Sequence, residues 1–167
     1  DFENVKQVFL VGDHRPFNTV LIFPNLEDEN SPLHNMDEKQ KLEYFSSLIV
    51  TVNKFLSPFE RILDFRLIDR QFDDKHGELT PKHTFKRKVI EKNFEELIDS
   101  MYVRNDTIVY VGNTEVRIPN WFLREKGCLS RDIISTDQGI AIPKLKFSLR
   151  LSKTSEENVF RIGSFNY

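Results

Sequence analysis

The stretch GELTPKHTFKRKVIEKNFEELIDSMY, residues 77–102, decides how the first part of the chain folds. Its apolar residues recur at a helical spacing, which predicts a helix over residues 81–102 with one buried face. Thr80 is expected to cap this helix and Pro81 to be its first residue, because proline is favoured at the first helical position. The residues expected on the buried face are Phe85, Val89, Phe94, Leu97, Ile98 and Met101.

The residues before this stretch predict a small sheet and one more helix. Residues 5–10 and 19–23 have the composition of two adjacent strands, separated by a polar turn at residues 12–16. The helical spacing of apolar residues predicts a helix over residues 37–55. Residues 62–68 (ILDFRLI) then alternate between apolar and polar side chains, which is typical of a strand.

From Val103 onwards, short apolar runs are separated by turn-forming residues. Gly112 and Asn113 lie between two such runs and form a hairpin signal. Strands are expected at residues 108–111, 116–118, 140–142, 146–151 and 159–162, and a short helical turn at 119–127. The apolar residues expected to form the core of this part, and to pack against the second helix, are Ile118, Trp121, Phe122 and Leu123.

These elements together predict an α+β fold, in which a small mixed sheet is packed by two main helices and followed by a β-rich C-terminal extension. We divide the chain near Val103, into a first domain of residues 1–102 and the extension of residues 103–167. The chain starts at Asp1 and enters a strand almost at once, so we expect it to be a piece of a longer protein.

The composition narrows the class of protein. The 167 residues are 39% hydrophobic and include fifteen Phe, which is enough apolar material for a packed core. The formal net charge of −2 does not favour nucleic acid or an anionic membrane as a partner. Apolar runs are far shorter than the roughly 18 residues of a membrane-spanning helix. Because the single Cys128 cannot form an internal disulfide, we expect a cytoplasmic protein.

Residues 80–92 hold an unusual concentration of positive charge. Five Lys and Arg residues accompany a single Glu there, a local charge of +4 in a chain of net charge −2. At the start of the predicted helix these cations would oppose the helix dipole, and Glu95, Glu96 and Asp99 would oppose it at the far end. A bound phosphate or carboxylate would resolve the conflict. The alternative is a solvated helix face whose Lys side chains lie over apolar neighbours.

Residues 77–102 resemble the C-terminal motif of the long-chain fatty acid–CoA ligases, which belong to the adenylate-forming superfamily. Two upstream segments resemble the same family in the same order. They are QVFLVGDHRPFNTVLIFPN at residues 7–25 and VNKFLSPFERILDFRLID at residues 52–69. The resemblance covers residues 4–102, whereas residues 103–167 resemble no recognised family.

The resemblance implies a part in a two-step reaction. Full-length enzymes of this family use ATP and Mg to convert a fatty acid to an acyl-adenylate, and then transfer the acyl group to CoA. A large N-terminal adenylation domain carries most of the site, and the small C-terminal domain closes over it as a mobile cap. The chain would be such a cap, with that N-terminal domain as its partner. By itself it is expected to hold no cofactor and to be inactive.

The sequence departs from the family at the Lys that the cap presents to the reacting carboxylate and phosphate. Aligned on Arg87, that position holds Thr84, whose neutral hydroxyl cannot supply the same charge. Lys82 and Lys86 are the candidate catalytic replacements, because both side chains are long and flexible. The residues expected to bind CoA or phosphate groups are Arg15, Arg87 and Lys88.

Other interpretations stay open. The loss of the family Lys would leave a non-catalytic interaction or anion-binding module that keeps the ligase cap fold. Arg15 could equally be a solvated side chain in a turn fixed by Pro16. Nucleic acid is disfavoured because no aromatic side chain interleaves the basic cluster as a stacking platform. No metal site is expected, because neither the four His nor residues 73–78 show metal-ligand spacing.

Overall fold

The computed structural model describes residues 2–153 and, as backbone alone, the strands at residues 160–162 and 165–166. The first part of the chain contains three strands, which are β1 (Val5–Val11), β2 (Asn18–Pro24) and β3 (Ile62–Leu67). β1 pairs antiparallel with β2, and β2 pairs parallel with β3. The sheet is therefore small and mixed, and the predicted α+β fold is confirmed.

Helix α1 (Glu38–Asn53) connects β2 to β3 and covers one face of the sheet. Two parallel strands need a crossover of this kind, because a tight turn cannot join them. Asp37 starts the helix with a capping box: its carboxylate accepts from the backbone N–H of Gln40, whose side chain accepts from the N–H of Asp37. The core on this side is formed by Val20, Ile22, Leu33, Phe45, Ile49, Val50, Phe65 and Leu129.

The helix predicted over residues 81–102 is wrong in its extent. The chain forms two shorter helices, α2 (Arg87–Asn93) and α3 (Glu95–Asp99), and neither is capped by Thr80. Residues 79–86 instead form a turn closed by an antiparallel bridge between Leu79 and Phe85. Phe85 does reach the core on the second face of the sheet, but from extended backbone rather than from a helix.

The break between α2 and α3 lies at Phe94, whose φ of −113° and ψ of 21° leave the helical region. The side-chain amide of Asn93 donates to the carbonyl oxygen of His76 (3.3 Å) and to the carboxylate of Glu78 (2.9 Å). The ring of Phe94 packs on that of Phe72, with the centroids 5.5 Å apart. These contacts join residues that are distant in sequence, and they lie where the helix breaks. The helical spacing of apolar residues therefore gives no sign of the break.

The extension begins with a hairpin of β4 (Asp106–Val111) and β5 (Thr114–Pro119), which confirms the signal at Gly112 and Asn113. Helix α4 (Asn120–Lys126) follows where a helical turn was predicted. An antiparallel meander then contains β6 (Ile134–Thr136), β7 (Gly139–Ile142), β8 (Phe147–Lys153), β9 (Phe160–Ile162) and β10 (Phe165–Asn166). β6 was not predicted, and Val159 of the predicted last strand lies outside the described residues.

The extension packs mainly against β3, α1 and Phe17, and only Tyr102 at the end of the second helical segment joins its core, which corrects the sequence prediction. Ile118 and Leu123 are buried in one cluster with Phe17 and Leu63 of the first part. Trp121, which was expected in the core, is 59% exposed. Its position at the first turn of α4 leaves the ring outside that cluster.

Backbone carbonyls of the extension accept hydrogen bonds from the first part of the chain. The amide of Asn53 donates to the carbonyl oxygen of Gly127 at 3.2 Å. The guanidinium of Arg61 donates to the carbonyl oxygens of Arg124 (2.6 Å) and Glu125 (2.8 Å) at the end of α4. Buried contacts therefore cross the boundary proposed near Val103. The division of the chain into two domains at that residue stays a prediction.

A buried polar group, here called the junction cluster, also joins the two parts. It consists of Ser46 on α1 with Asp132 and Lys144 of the extension. One carboxylate oxygen of Asp132 accepts from the Ser46 hydroxyl (2.6 Å) and from Lys144 Nζ (2.6 Å). Its other oxygen accepts from the backbone N–H of Leu129 (2.9 Å). Among the described residues, no helix has the length and apolar character needed to cross a membrane.

Candidate functional site

The basic cluster found in the sequence lies on the turn of residues 79–86, which we call the basic turn. At its base, the N–H of Lys86 donates to the carbonyl oxygen of Glu78 (2.7 Å), and the N–H of Thr80 donates to that of Thr84 (2.8 Å). At its tip, His83 donates its N–H to the carbonyl oxygen of Thr80 (2.8 Å) and has a φ of +58°. The turn is thus a defined structure that projects basic side chains into solvent.

The hydroxyl of Thr84, the residue that the resemblance aligns with the family Lys, is used within the turn. The hydroxyl oxygens of Thr80 and Thr84 lie 2.7 Å apart, and the N–H of Thr84 also donates to Thr80 Oγ1 (3.2 Å). Both side chains thereby close the turn across its neck. A Lys side chain at residue 84 could not make this short contact.

Lys86 shares an outward face of the turn with Thr84. Phe85 between them points into the core, where its ring lies 5.2 Å from that of Phe72. Because successive side chains of an extended segment alternate in direction, those of Thr84 and Lys86 both point away from that core. Lys86 and Lys82 are exposed, and among residues 2–153 no side chain forms a hydrogen bond or an ion pair with either amine.

Beneath the basic turn, Glu78 is held by a group that we call the Glu78 clamp, formed by Arg70, Glu78 and Asn93. The Glu78 side chain is 0% exposed. The guanidinium of Arg70 donates to both of its carboxylate oxygens, at 2.7 and 2.8 Å, and the amide of Asn93 donates at 2.9 Å. The guanidinium also stacks over the ring of Phe94, 4.7 Å from its centroid.

The hydrogen bonds of the Glu78 clamp determine the charges of Glu78 and Arg70. Burial raises the pKa of Glu78, but hydrogen bonds from Arg70, Asn93 and the backbone N–H of Asp73 outweigh burial. The pKa of Glu78 therefore lies below its ordinary value of 4.5, and the carboxylate is ionised at neutral pH. The hydrogen bond to Glu78 raises the pKa of Arg70 in turn. By contrast, burial raises the pKa of the Cys128 thiol to about 12, which removes it as a nucleophile.

Asp73, His76 and Glu78 bring three potential metal-binding atoms within 4.8 Å of one another. These atoms do not suit a metal ion. One carboxylate oxygen of Asp73 accepts from His76 Nδ1 (2.7 Å), and Glu78 already binds the cationic Arg70. A divalent cation would have to displace or repel that guanidinium, so the geometry favours a network of hydrogen bonds.

The cations expected to bind CoA or phosphate groups are only partly free. Arg15 pairs with Asp99 of α3 (2.9 Å) and lies over the ring of Tyr102, so it fixes the turn after β1 to the helical segment. Arg87 donates to the carbonyl oxygen of Leu10 (2.7 Å), and Lys88 is exposed on α2. The structure thus anchors both arginines and leaves the lysines available.

The argument from the helix dipole is corrected as well. Lys82 precedes α2 and Lys86 lies at its N-cap, whereas Arg87 and Lys88 lie in its first turn and oppose the helix dipole as expected. Glu95 and Glu96 lie in the first turn of α3, where the helix dipole favours negative charge. The cations of residues 82–88 thus span the basic turn and the first turn of α2, and Asp99 ends α3, but residues 81–102 do not form one long helix with reversed charges at both ends.

The mixed sheet and the basic turn both lie within residues 2–106. Residues 2–106 match the family of AMP-binding enzyme C-terminal domains. Since this match covers more than half of the 167 residues, the chain belongs to that family. No curated protein matches the chain.

Two solved structures are similar to part of this chain. One is the A-PCP didomain of carboxylic acid reductase from Segniliparus rugosus in complex with AMP, at 16% identity and a TM-score of 0.50. The other is the adenylation domain of a carboxylate reductase from Mycobacterium chelonae, at 20% identity and a TM-score of 0.48. Each likeness covers 60% of this chain, which spans only 14% and 16% of those two chains.

Proposed function

We propose that this chain is the mobile cap of a long-chain fatty acid–CoA ligase that forms an acyl-adenylate and then an acyl-CoA. The observation that carries the proposal is the basic turn, whose backbone hydrogen bonds hold exposed Lys side chains above a buried base. Membership in the family of AMP-binding enzyme C-terminal domains supports it. In the parent protein, the N-terminal adenylation domain would supply the sites for the fatty acid, ATP with Mg, and CoA.

Lys86 is the cation best placed to replace the family Lys. It shares the outward face of the turn with Thr84, and its own backbone is fixed by the 2.7 Å bond to Glu78. Lys82 lies at the tip, next to His83 with its positive φ, and is two residues from Thr84 in the opposite direction. A cation aimed at the converging carboxylate and phosphate would stabilise their negative charge in the transition state.

The test uses the full-length protein with two single variants, Lys86→Ala and Lys82→Ala. Each half-reaction is measured separately: adenylate formation by exchange of pyrophosphate into ATP, and acyl transfer from preformed acyl-adenylate to CoA. Lys86→Ala should slow adenylate formation by about a hundredfold, as the removal of one electrostatic stabiliser does in other enzymes. Lys82→Ala tests the other candidate, and it should retain more of the rate because Lys82 lies at the tip of the turn rather than beside Thr84. Wild-type rates in both variants would contradict the proposal.

A second candidate is a non-catalytic or anion-binding module that keeps the cap fold. The observation that favours it is Thr84, whose hydroxyl is bonded to Thr80 and adds no charge. The two candidates differ in one measurement, since a non-catalytic parent would form no acyl-adenylate from any fatty acid. The acyl acceptor is tested in the same assay by comparing CoA with a phosphopantetheine-bearing carrier protein. The carrier protein is included because one similar structure contains a PCP domain.

A further inference from the structure

Glu78 connects the buried clamp to the basic turn through its own backbone. Its carboxylate is held by Arg70 and Asn93, and its N–H donates to the carbonyl oxygen of Asp73 (3.0 Å). Its carbonyl oxygen accepts from the N–H of Lys86. Glu78 is therefore fixed by its buried side chain, and its carbonyl oxygen holds the backbone N–H of Lys86 in the exposed turn.

A buried ion pair is a costly way to stabilise a turn. Removing the Glu78 carboxylate from water costs several kcal/mol, whereas the partly exposed Arg70 loses less hydration, and well-packed apolar residues often replace such pairs without loss of stability. What the Arg70–Glu78 pair adds is direction, because two parallel hydrogen bonds fix the planes of both groups. The basic turn next to this pair carries exposed cations, and a cation can stabilise a reacting group only if its side chain points towards that group.

We propose that Glu78, held by Arg70 and Asn93, is a positioning residue that sets the direction in which Lys86 projects from the basic turn. The inference rests on the proposed function of that turn. Glu78 is fully buried and acts through the backbone bond to Lys86. Phe85 provides the second anchor of the turn, since its ring is fixed against Phe9 and Phe72. With both anchors in place, Lys86 keeps one starting direction through each closure of the cap.

The first test measures the clamp itself and needs no enzymatic activity. In the 167-residue chain, Glu78→Gln keeps the size of the side chain but removes its charge. Amide hydrogen exchange should speed up at Thr80, His83 and Lys86, whose N–H groups donate within the turn. The expected increase is about ten- to a hundredfold, the value of a hydrogen bond to a charged group. Asp64→Asn, which removes a half-buried ion pair with Arg66, is the matched control and should leave these amides unchanged.

The second test asks whether the clamp acts through Lys86. In the full-length protein, Glu78→Gln should lower kcat for adenylate formation by about tenfold or more while KM for ATP stays near its wild-type value. Acyl transfer from preformed acyl-adenylate should be preserved. In a background of Lys86→Ala, the further effect of Glu78→Gln on adenylate formation should disappear. The reason is that Glu78 acts only by orienting the Lys86 side chain, which that variant lacks.

Arg70→Lys keeps the positive charge but cannot form the two parallel bonds, so it should show a smaller effect of the same kind. It also serves if Glu78→Gln fails to fold. Unchanged exchange in the turn for both variants would overturn the inference whatever the role of Lys86. Equal losses in both half-reactions, or a full effect of Glu78→Gln in the Lys86→Ala background, would also overturn it. A wild-type rate in Lys86→Ala alone would instead refute the proposed role of the basic turn.

Discussion

Two buried carboxylates, Glu78 and Asp132, hold different parts of this molecule in place. Each accepts hydrogen bonds from a basic side chain and from a backbone N–H, provided by Asp73 for Glu78 and by Leu129 for Asp132. The side-chain partners of Glu78 lie within residues 70–93 and support the basic turn. Asp132 joins the extension to α1, since Ser46 lies 86 residues away in sequence. The hydrogen bonds of the buried carboxylate are therefore local in sequence at Glu78 and long-range in sequence at Asp132.

The cations paired with these carboxylates also differ in their access to water. The side chain of Arg70 is 32% exposed, whereas that of Lys144 is 15% exposed. If its carboxylate is removed, Arg70 can regain hydration more easily than Lys144 can. We therefore expect changes at the Glu78 clamp to affect the basic turn first, and changes at the junction cluster to affect the stability of the whole chain.

The largest effect on stability is expected when the extension is removed. A chain ending at Tyr102 would expose Phe17 and Leu63 and leave the buried amide of Asn53 without the carbonyl of Gly127. We expect it to remain folded but to lose on the order of 5 kcal/mol of unfolding free energy, since each large apolar side chain contributes about 1.5–3 kcal/mol when buried.

The measurement is thermal and urea unfolding of residues 1–102 against residues 1–167, with amide exchange mapped on the shorter chain. The exchange should increase most in α1 and β3, where the extension packs, rather than in α2 and α3. An unchanged midpoint would show that the extension is a tethered, separate unit. Complete unfolding would show that the boundary near Val103 divides a single domain.

A somewhat smaller effect is expected for Asp132→Ala. This change leaves Lys144 largely buried, with Glu43 as its remaining carboxylate partner (2.9 Å), and removes an acceptor from Ser46 and from the N–H of Leu129. Breaking a buried ion pair on one side costs about 3–5 kcal/mol. Urea unfolding of the 167-residue chain measures the loss. Glu115→Gln removes an exposed pair with Arg117 and should leave the urea midpoint nearly unchanged. Equal losses in the two variants would contradict the comparison.

How far the sequence predicted these regions depends on whether their contacts are local. α1 was predictable because Asp37 and Gln40 form a capping box three residues apart and the apolar residues follow one helical face. The second helix was not, because Phe85 occupies a helical position by spacing while its backbone is extended. The bonds that fix residues 79–86 and end α2 are tertiary, and no spacing rule contains them.

The candidate site was predicted in composition but not in geometry. The cluster of Lys82, Lys86, Arg87 and Lys88 could be read directly from the sequence. The Glu78 clamp was missed, because Arg70 and Asn93 lie 8 and 15 residues from Glu78 and nothing in the sequence marks them as partners. The available signal was an acidic residue immediately before the basic cluster, which suggests a partner without naming it.

A pH series should separate the clamp from other sources of stability. The pKa of Glu78 is lowered in the folded chain, so its contribution to stability is fully present above its ordinary value of 4.5. That contribution is lost as the pH falls from 4.5 through the lower folded pKa, because the folded chain must then bind a proton where it prefers none. The destabilisation caused by Glu78→Gln should therefore be larger at pH 7 than at pH 3.

The measurement for this prediction is the urea midpoint of the wild-type chain and of Glu78→Gln across that pH range. Asp64→Asn, from the tests above, provides a control for the general effect of losing one carboxylate. A difference between wild type and Glu78→Gln that stays constant with pH would show that the size of the side chain, and not its charge, stabilises the turn.

The smallest effect is expected at Trp121, although the sequence placed it in the core of the extension. The side chain is 59% exposed, whereas Leu123 two residues later is 2% exposed within the cluster that joins the two parts. Trp121→Ala should thus change the unfolding free energy by less than about 1 kcal/mol, while Leu123→Ala should cost about 2–5 kcal/mol. Thermal unfolding of both variants measures the difference. A large loss at Trp121 would show that the ring is covered in solution, and the junction between the extension and β3 would have to be redrawn.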